Sequence, residues 1–137
     1  MDEYHKTLPA DGTSLWAGMA NYILATTDRR HEIDLRYVGE PPHGDSFHEL
    51  SVDGRRLPGF AWGCYFGVSP CSRHLAASWM AKLYERKTVV IDMEERRFAV
   101  LPIYISSFTF HWPCLEGVGL AIGQRYEFVG SEEWTPF

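Results

Sequence analysis

The chain has 137 residues, 45% hydrophobic and 23% charged, a balance that builds a folded core and excludes a disordered chain. Its formal net charge of −5 argues against nucleic-acid binding, which needs a basic surface, and no run approaches the roughly 18 apolar residues of a membrane span. Three cysteines, Cys64, Cys71 and Cys114, lack metal-site spacing and cannot all pair, so no disulfide framework, metal or cofactor is expected.

The N-terminus, "MDEYHKTLPADG", is acidic and lacks the apolar segment of a secretory signal. The expectation is a soluble, cytoplasmic protein with a single domain spanning 1–137, in which residues 1–13 form a tail that orders on contact. In "TSLWAGMANYILA", Leu15, Met19 and Ile23 fall four apart behind a capping Thr13 or Ser14, which fits a short helix, while Gly18 and the later β-formers leave 14–25 open between helix and strand. "HEIDLRYV" changes to period two, with Ile33, Leu35 and Tyr37 alternating with Glu32, Asp34 and Arg36, and predicts a half-buried strand. "GEPPHGD" reads as a loop, "SFHELSV" as a second strand, and Asp53-Gly54 as the turn that closes it.

"GFAWGCYFGV" follows. Phe60, Trp62, Cys64, Phe66 and Val68 load one face, while Gly59, Ala61, Gly63 and Gly67 leave the other nearly bare, as a central strand packed beneath a ring requires. "SPCSRHLAASWMAKL" admits two readings. Ser69 and Pro70 suit a helix start, and Leu75, Trp79 and Leu83 share a helical face; yet Leu75, Ala77 and Trp79 also alternate with His74, Ala76, Ser78 and Met80. The strands around it favour a strand over 75–82, with Leu75, Ala77 and Trp79 facing the core; a helix over 70–84 is the alternative. "KTVVIDMEERRFAVLP" reads as a hairpin turning at "MEER". In "SSFTFHW", Phe108, Phe110 and Trp112 share a face, "QRYEFVG" is a last short strand, and "SEEWTPF" is an acidic-aromatic tail. The predicted class is mainly β, a single antiparallel sheet or sandwich-like meander with at most one or two short helices; the helix at 70–84 would make it α+β.

Several groupings are candidates for chemistry. His43, Asp45 and His48 lie within six residues and can supply a metal site or acid-base groups, although the spacing matches no standard zinc motif. Cys71 and His74 can form a thiol-base pair only on a helix, since a strand turns them to opposite sides. Ser69, Asp92 and His111 contain the residue types of a triad, but Pro70 suits a turn rather than a nucleophile elbow. These groups keep open a small hydrolase or metal-dependent enzyme, and the face-patterned strand keeps open a structural or adaptor subunit. The residue reading favours no catalytic residues and a binding role. Asp92, Glu94 and Glu95 fall at a predicted hairpin tip, and Glu132 and Glu133 stand beside Trp134, a composition suited to a basic protein surface.

Residues 67–101, "GVSPCSRHLAASW…KTVVIDMEERRFAVL", resemble a β-propeller blade, with Ser69-Pro70-Cys71-Ser72 at the first turn and Asp92 at the second. Ser72 replaces the usual glycine, and the chain is too short for the four blades of a closed propeller. Size, acidity and the "TVVIDMEERRFAVLP…WP" run are similar to the immunity proteins of bacterial toxin–immunity pairs. That resemblance implies stoichiometric binding of a cognate toxin with occlusion of its active site, without catalytic residues of the chain's own.

Overall fold

The period-two segments pair with one another, and the computed structural model, which describes residues 1–42 and 44–137, is mainly β. In chain order the strands are β1 (Glu3–Thr7), β2 (Leu15–Trp16), β3 (Asn21–Ala25), β4 (Glu32–Gly39), β5 (Phe47–Val52), β6 (Arg55–Arg56) and β7 (Phe60–Val68). They continue with β8 (His74–Met80), β9 (Lys87–Asp92), β10 (Arg97–Val100), β11 (Phe108–His111), β12 (Cys114–Gly117), β13 (Arg125–Glu127) and β14 (Thr135–Pro136). The helical content of the described residues is one 3-10 turn, Gly119–Ala121, and no described helix is long and apolar enough to cross a membrane.

The large sheet runs in the order β1-β3-β4-β5-β7-β8-β9-β10-β14, with β2 added to β7 and β6 to β5; β11, β12 and β13 form a small second sheet. β1 lies parallel to β3, and the remaining pairings along the large sheet are antiparallel. The large sheet curls around its inner face. Leu24, Ile33, Leu35, Leu50, Phe66 and Ile91 meet there in one core, each such burial worth about 2 kcal/mol. The curl brings the turn after β3 to the turn after β9, where Arg30 pairs with Glu94. The outer face of β8, β9 and β10 presents Ala76, Val90 and Ala99 to Phe108, Phe110 and Leu115 of the small sheet, forming a second core.

The stretch 14–25, open between helix and strand, forms strands β2 and β3. Leu15 and Trp16 pair with Phe66 and Tyr65, the Ala17 N–H donates to the Cys64 carbonyl at 2.7 Å, and β3 pairs with β4. These long-range ladders satisfy the backbone that a short helix with an interior glycine would hold only weakly. Residues 1–13 are likewise not a bare tail, since Glu3–Thr7 pair in register with Asn21–Ala25. All five side chains of β1 are exposed, so no apolar alternation announces the strand.

The ambiguous stretch 70–84 resolves as strand β8. Leu75, Ala77 and Trp79 enter the first core and Ala76 the second. Every residue of β8 is buried, so neither face shows the polar alternation that marks a half-exposed strand. The turn before it is Ser69–Ser72, closed by Ser72 N–H to the Ser69 carbonyl at 2.8 Å, with Ser72 at φ 64°. Asp92 pairs with Arg97 across Met93–Arg96, so "MEER" is the hairpin turn, with Arg96 at φ 53°.

Candidate functional site

Register builds the site. His74 on β8 lies opposite Asp92 on β9, and Asp92 lies opposite Arg97 on β10. Residues in one cross-strand row project to one face, here the outer face, at the end of the space between the two sheets. Asp92 is 0% exposed, a correction to the expectation that it stands exposed at the hairpin tip. Arg73 donates Nε to its Oδ1 and Nη2 to its Oδ2, both at 3.0 Å; Arg97 Nε reaches Oδ2 at 3.1 Å and the Glu95 N–H reaches Oδ1 at 3.2 Å. Burial raises the Asp92 carboxyl, but the hydrogen bonds from Arg73, Glu95 N–H and Arg97 outweigh it and hold it down at about 2. Its charge is therefore consumed inside the fold, because a carboxylate without water needs these donors.

His74 is buried, and its ring stacks flat on Trp112, with centroids 3.7 Å apart and planes 3° apart. Burial pushes its imidazole down to about 4, against the pull of Asp92 and with the help of Arg73. Its Nδ1 has no hydrogen-bond partner among the described residues. Trp112 continues through Phe128 to Trp134, at centroid separations of 4.6 and 5.8 Å, and the Arg97 guanidinium lies 4.7 Å over the Trp134 ring. Arg73, His74, Arg97, Trp112, Glu132 and Trp134 help line a cleft of about 540 Å³.

The predicted site residues divide here. Glu132 and Trp134 line this cleft, and Asp92, forty residues before Glu132 in the sequence, lies buried behind it, bonded to the lining residues Arg73 and Arg97. Glu132 is half-buried rather than free. Its Oε2 accepts from Tyr126 OH at 2.5 Å and the Val129 N–H at 2.8 Å, and its Oε1 accepts from the Gly130 N–H at 2.9 Å. The tyrosine bond leads the effects that hold its carboxyl down at about 2, and burial followed by Glu132 pushes Tyr126 up to about 12. Trp134 is half-buried against the second core. Glu94 is exposed but pairs with Arg30 and with Arg73 Nη1, the latter at 3.5 Å. Glu95 and Glu133 are exposed, and neither side chain joins an ion pair among the described residues.

The other groupings are not assembled. His43 lies outside the described residues. His48 is fully buried between Tyr22 and Tyr37 and donates Nε2–H to the Ala20 carbonyl at 2.8 Å, whereas Asp45 pairs with Arg86 at 3.1 Å. Ser69 Oγ accepts from the His74 N–H at 3.1 Å and lies 3.3 Å from Cys71 Sγ, Asp92 is taken by arginines, and His111 Nε2–H donates to the Asp11 carbonyl. Among the described residues no three His, Cys, Asp or Glu side chains are placed to hold a metal ion. Cys64 and Cys114 are half-buried; Cys114 Sγ donates to Glu127 at 3.2 Å.

Sequence reasoning does not single out Arg73, Arg97, Trp112 or Phe128 as parts of a site. A usable signal exists for Arg97. Opposite charges at the two ends of a four-residue hairpin turn become cross-strand neighbours. Comparison with models of protein families, with curated proteins and with solved structures finds no match.

Proposed function

We propose that the chain is a non-catalytic binding protein that neutralises a cognate protein toxin by covering its active site, and that it docks through the acidic-aromatic corner formed by the turn after β9 and the C-terminal tail. One observation carries the reading: Arg97 of the hairpin, held from beneath by the buried Asp92, meets Trp134 of the tail at a single cleft that Glu132 also lines, so the hairpin and the acidic-aromatic tail present one surface. Glu95 and Glu133 supply exposed carboxylates that join no ion pair among the described residues, and Trp112 and Trp134 line the cleft, a combination of charge and aromatic anchor that protein interfaces use. The net charge of −5 suits a basic partner, because complementary fields speed encounter. The resemblance to immunity proteins implies the same action.

Co-purification with the protein encoded beside this one tests the proposal. The pair is expected to form a stoichiometric complex that abolishes the partner's toxicity. Charge reversal by Glu95→Lys with Glu133→Lys is expected to slow association about tenfold at low salt and to weaken its salt dependence. A neighbour that is neither bound nor neutralised would defeat the proposal. So would a complex whose association rate ignores the double reversal.

A further inference from the structure

A second concave surface lies apart from the acidic-aromatic corner. A cleft of about 740 Å³ is walled by Pro41, Trp62 and Tyr84. A neighbouring one of about 520 Å³ is walled by Trp16, Tyr65, Tyr104 and Ser106. Asp45 and Arg86 line both, so the two are halves of one groove with that ion pair at its waist.

Several contacts converge on the waist. Arg86 Nη2 lies 3.1 Å from Asp45 Oδ2, and Nη1 donates to Tyr104 OH at 3.3 Å. The guanidinium lies 4.0 Å above the Trp62 ring and 5.6 Å from the Tyr104 ring. Trp62 is itself fixed by Nε1–H donating to the Asp45 carbonyl at 3.1 Å. On either side the rings are open to solvent: Tyr84 is 54% and Trp16 51% exposed.

The lining selects a ligand class. Its charged side chains among the described residues are Asp45 and Arg86, which pair with each other, so the described lining carries no net charge to favour a phosphate chain or a strongly basic peptide. The exposed rings require a ligand with flat apolar faces. The Asp45 carboxylate, half exposed, stands beside the Arg86 fork and the Tyr104 and Ser106 hydroxyls. That juxtaposition of acceptors and donors matches groups that both donate and accept at adjacent carbons. Pyranose rings combine these properties: C–H faces that stack on aromatic rings and a rim of vicinal hydroxyls. Two adjoining clefts of this size accommodate several linked units. We propose that this groove binds a neutral oligosaccharide, stacking sugar rings on Tyr84 and Trp16 and hydrogen-bonding their hydroxyls at the Asp45–Arg86 pair. This assignment does not depend on the partner-docking reading.

The test uses the full chain and three neutral probes, maltohexaose, cellohexaose and hexa-N-acetylchitohexaose, followed by calorimetry and tryptophan fluorescence. At least one series is expected to bind saturably below about 10 mM. Tyr84→Ala and Asp45→Ala are each expected to weaken it about tenfold, with far-ultraviolet circular dichroism unchanged. Glu95→Lys, in the other surface, is expected to leave it unaltered. Absence of saturable binding to all three probes overturns the proposal, as does binding that both groove variants retain at full strength. Groove variants that abolish protein-partner binding while no sugar binds would reassign the groove to a protein.

Discussion

At the scale of single residues, the His74–Asp92–Arg97 row couples stability to pH. The charges that face His74 are Asp92 and Glu94, which favour its protonation, and Arg73 and Arg97, which oppose it; burial exceeds them all. The imidazole thus takes a proton at its ordinary 6.5 in the unfolded chain but only near 4 in the folded one. Below 6.5 the unfolded chain binds the proton first, so stability is full above that pH and falls as pH drops toward 4. Asp92, held at about 2 against an ordinary 3.8, extends the loss in the same direction at lower pH. For His74 the whole effect is about 3 kcal/mol. Urea denaturation at about pH 7.5 and about pH 5 should show the wild-type chain losing on the order of 2 kcal/mol between them. His74→Gln, which cannot titrate, should lose much less, and an equal loss in both proteins would remove His74 as the source. The sequence makes the Asp92–Arg97 neighbourhood legible through the hairpin pattern. It does not show that Arg73 arrives from the other side of β9 and buries the carboxylate, because that contact depends on the position of the turn before β8.

At the scale of elements, β7 shows how one irregularity redirects a pattern. Its sequence reads as one loaded face and one bare face. In the fold, Ala61, Phe66 and Val68 enter the first core, while Trp62 packs with Phe47 and Met80 in a separate cluster. The register explains the exchange. Ala61 pairs with Trp79 and Phe66 with Ala77, so β7 spends extra residues between those pairs and its side-chain parity flips. Gly63 lies in the irregular stretch at φ 150°, and a Cβ there would stand 2.7 Å from Ser78 Cβ. Gly63→Ala should therefore destabilise the chain by about 1–3 kcal/mol in chemical denaturation. An unchanged midpoint would mean that the bulge accommodates a side chain. The flip also aims Trp62 at Arg86, from which the groove is built, and leaves Tyr65 exposed opposite Trp16. Strand existence is legible here because apolar alternation survives in short pieces. The groove is not, because period two carries no mark of where a bulge swaps the faces, and Trp16 lies in a segment whose spacing also fits a helix.

At the scale of the whole molecule, the outer face of β8–β10 ties the two sheets together. Phe108 is 1% exposed and belongs to the second core, and a Cβ built on Gly67 would lie 3.0 Å from the Phe108 ring. Gly67, bare on the outer face of β7, therefore lets the small sheet approach the large one closely. Backbone bonds reinforce the contact: the Phe110 N–H donates to the Gly12 carbonyl at 2.7 Å, and Ser14 Oγ donates to the Phe108 carbonyl. β8 is buried on both faces and contributes to both cores, so neither core can dissolve without exposing it. Unfolding as a single cooperative unit is the expected outcome. Phe108→Ala should cost about 3–5 kcal/mol, the range for a large ring removed from a tight core. The loss should appear equally in backbone circular dichroism and in tryptophan fluorescence, since Trp79 reports on the first core and Trp134 on the second. Coincident transitions at the lowered midpoint would establish one unit. If the fluorescence of Trp112 and Trp134 changed first while most strand signal persisted, the small sheet would be a separately melting subunit of the fold, and the site it shares with β8 would be adjustable independently of the main core.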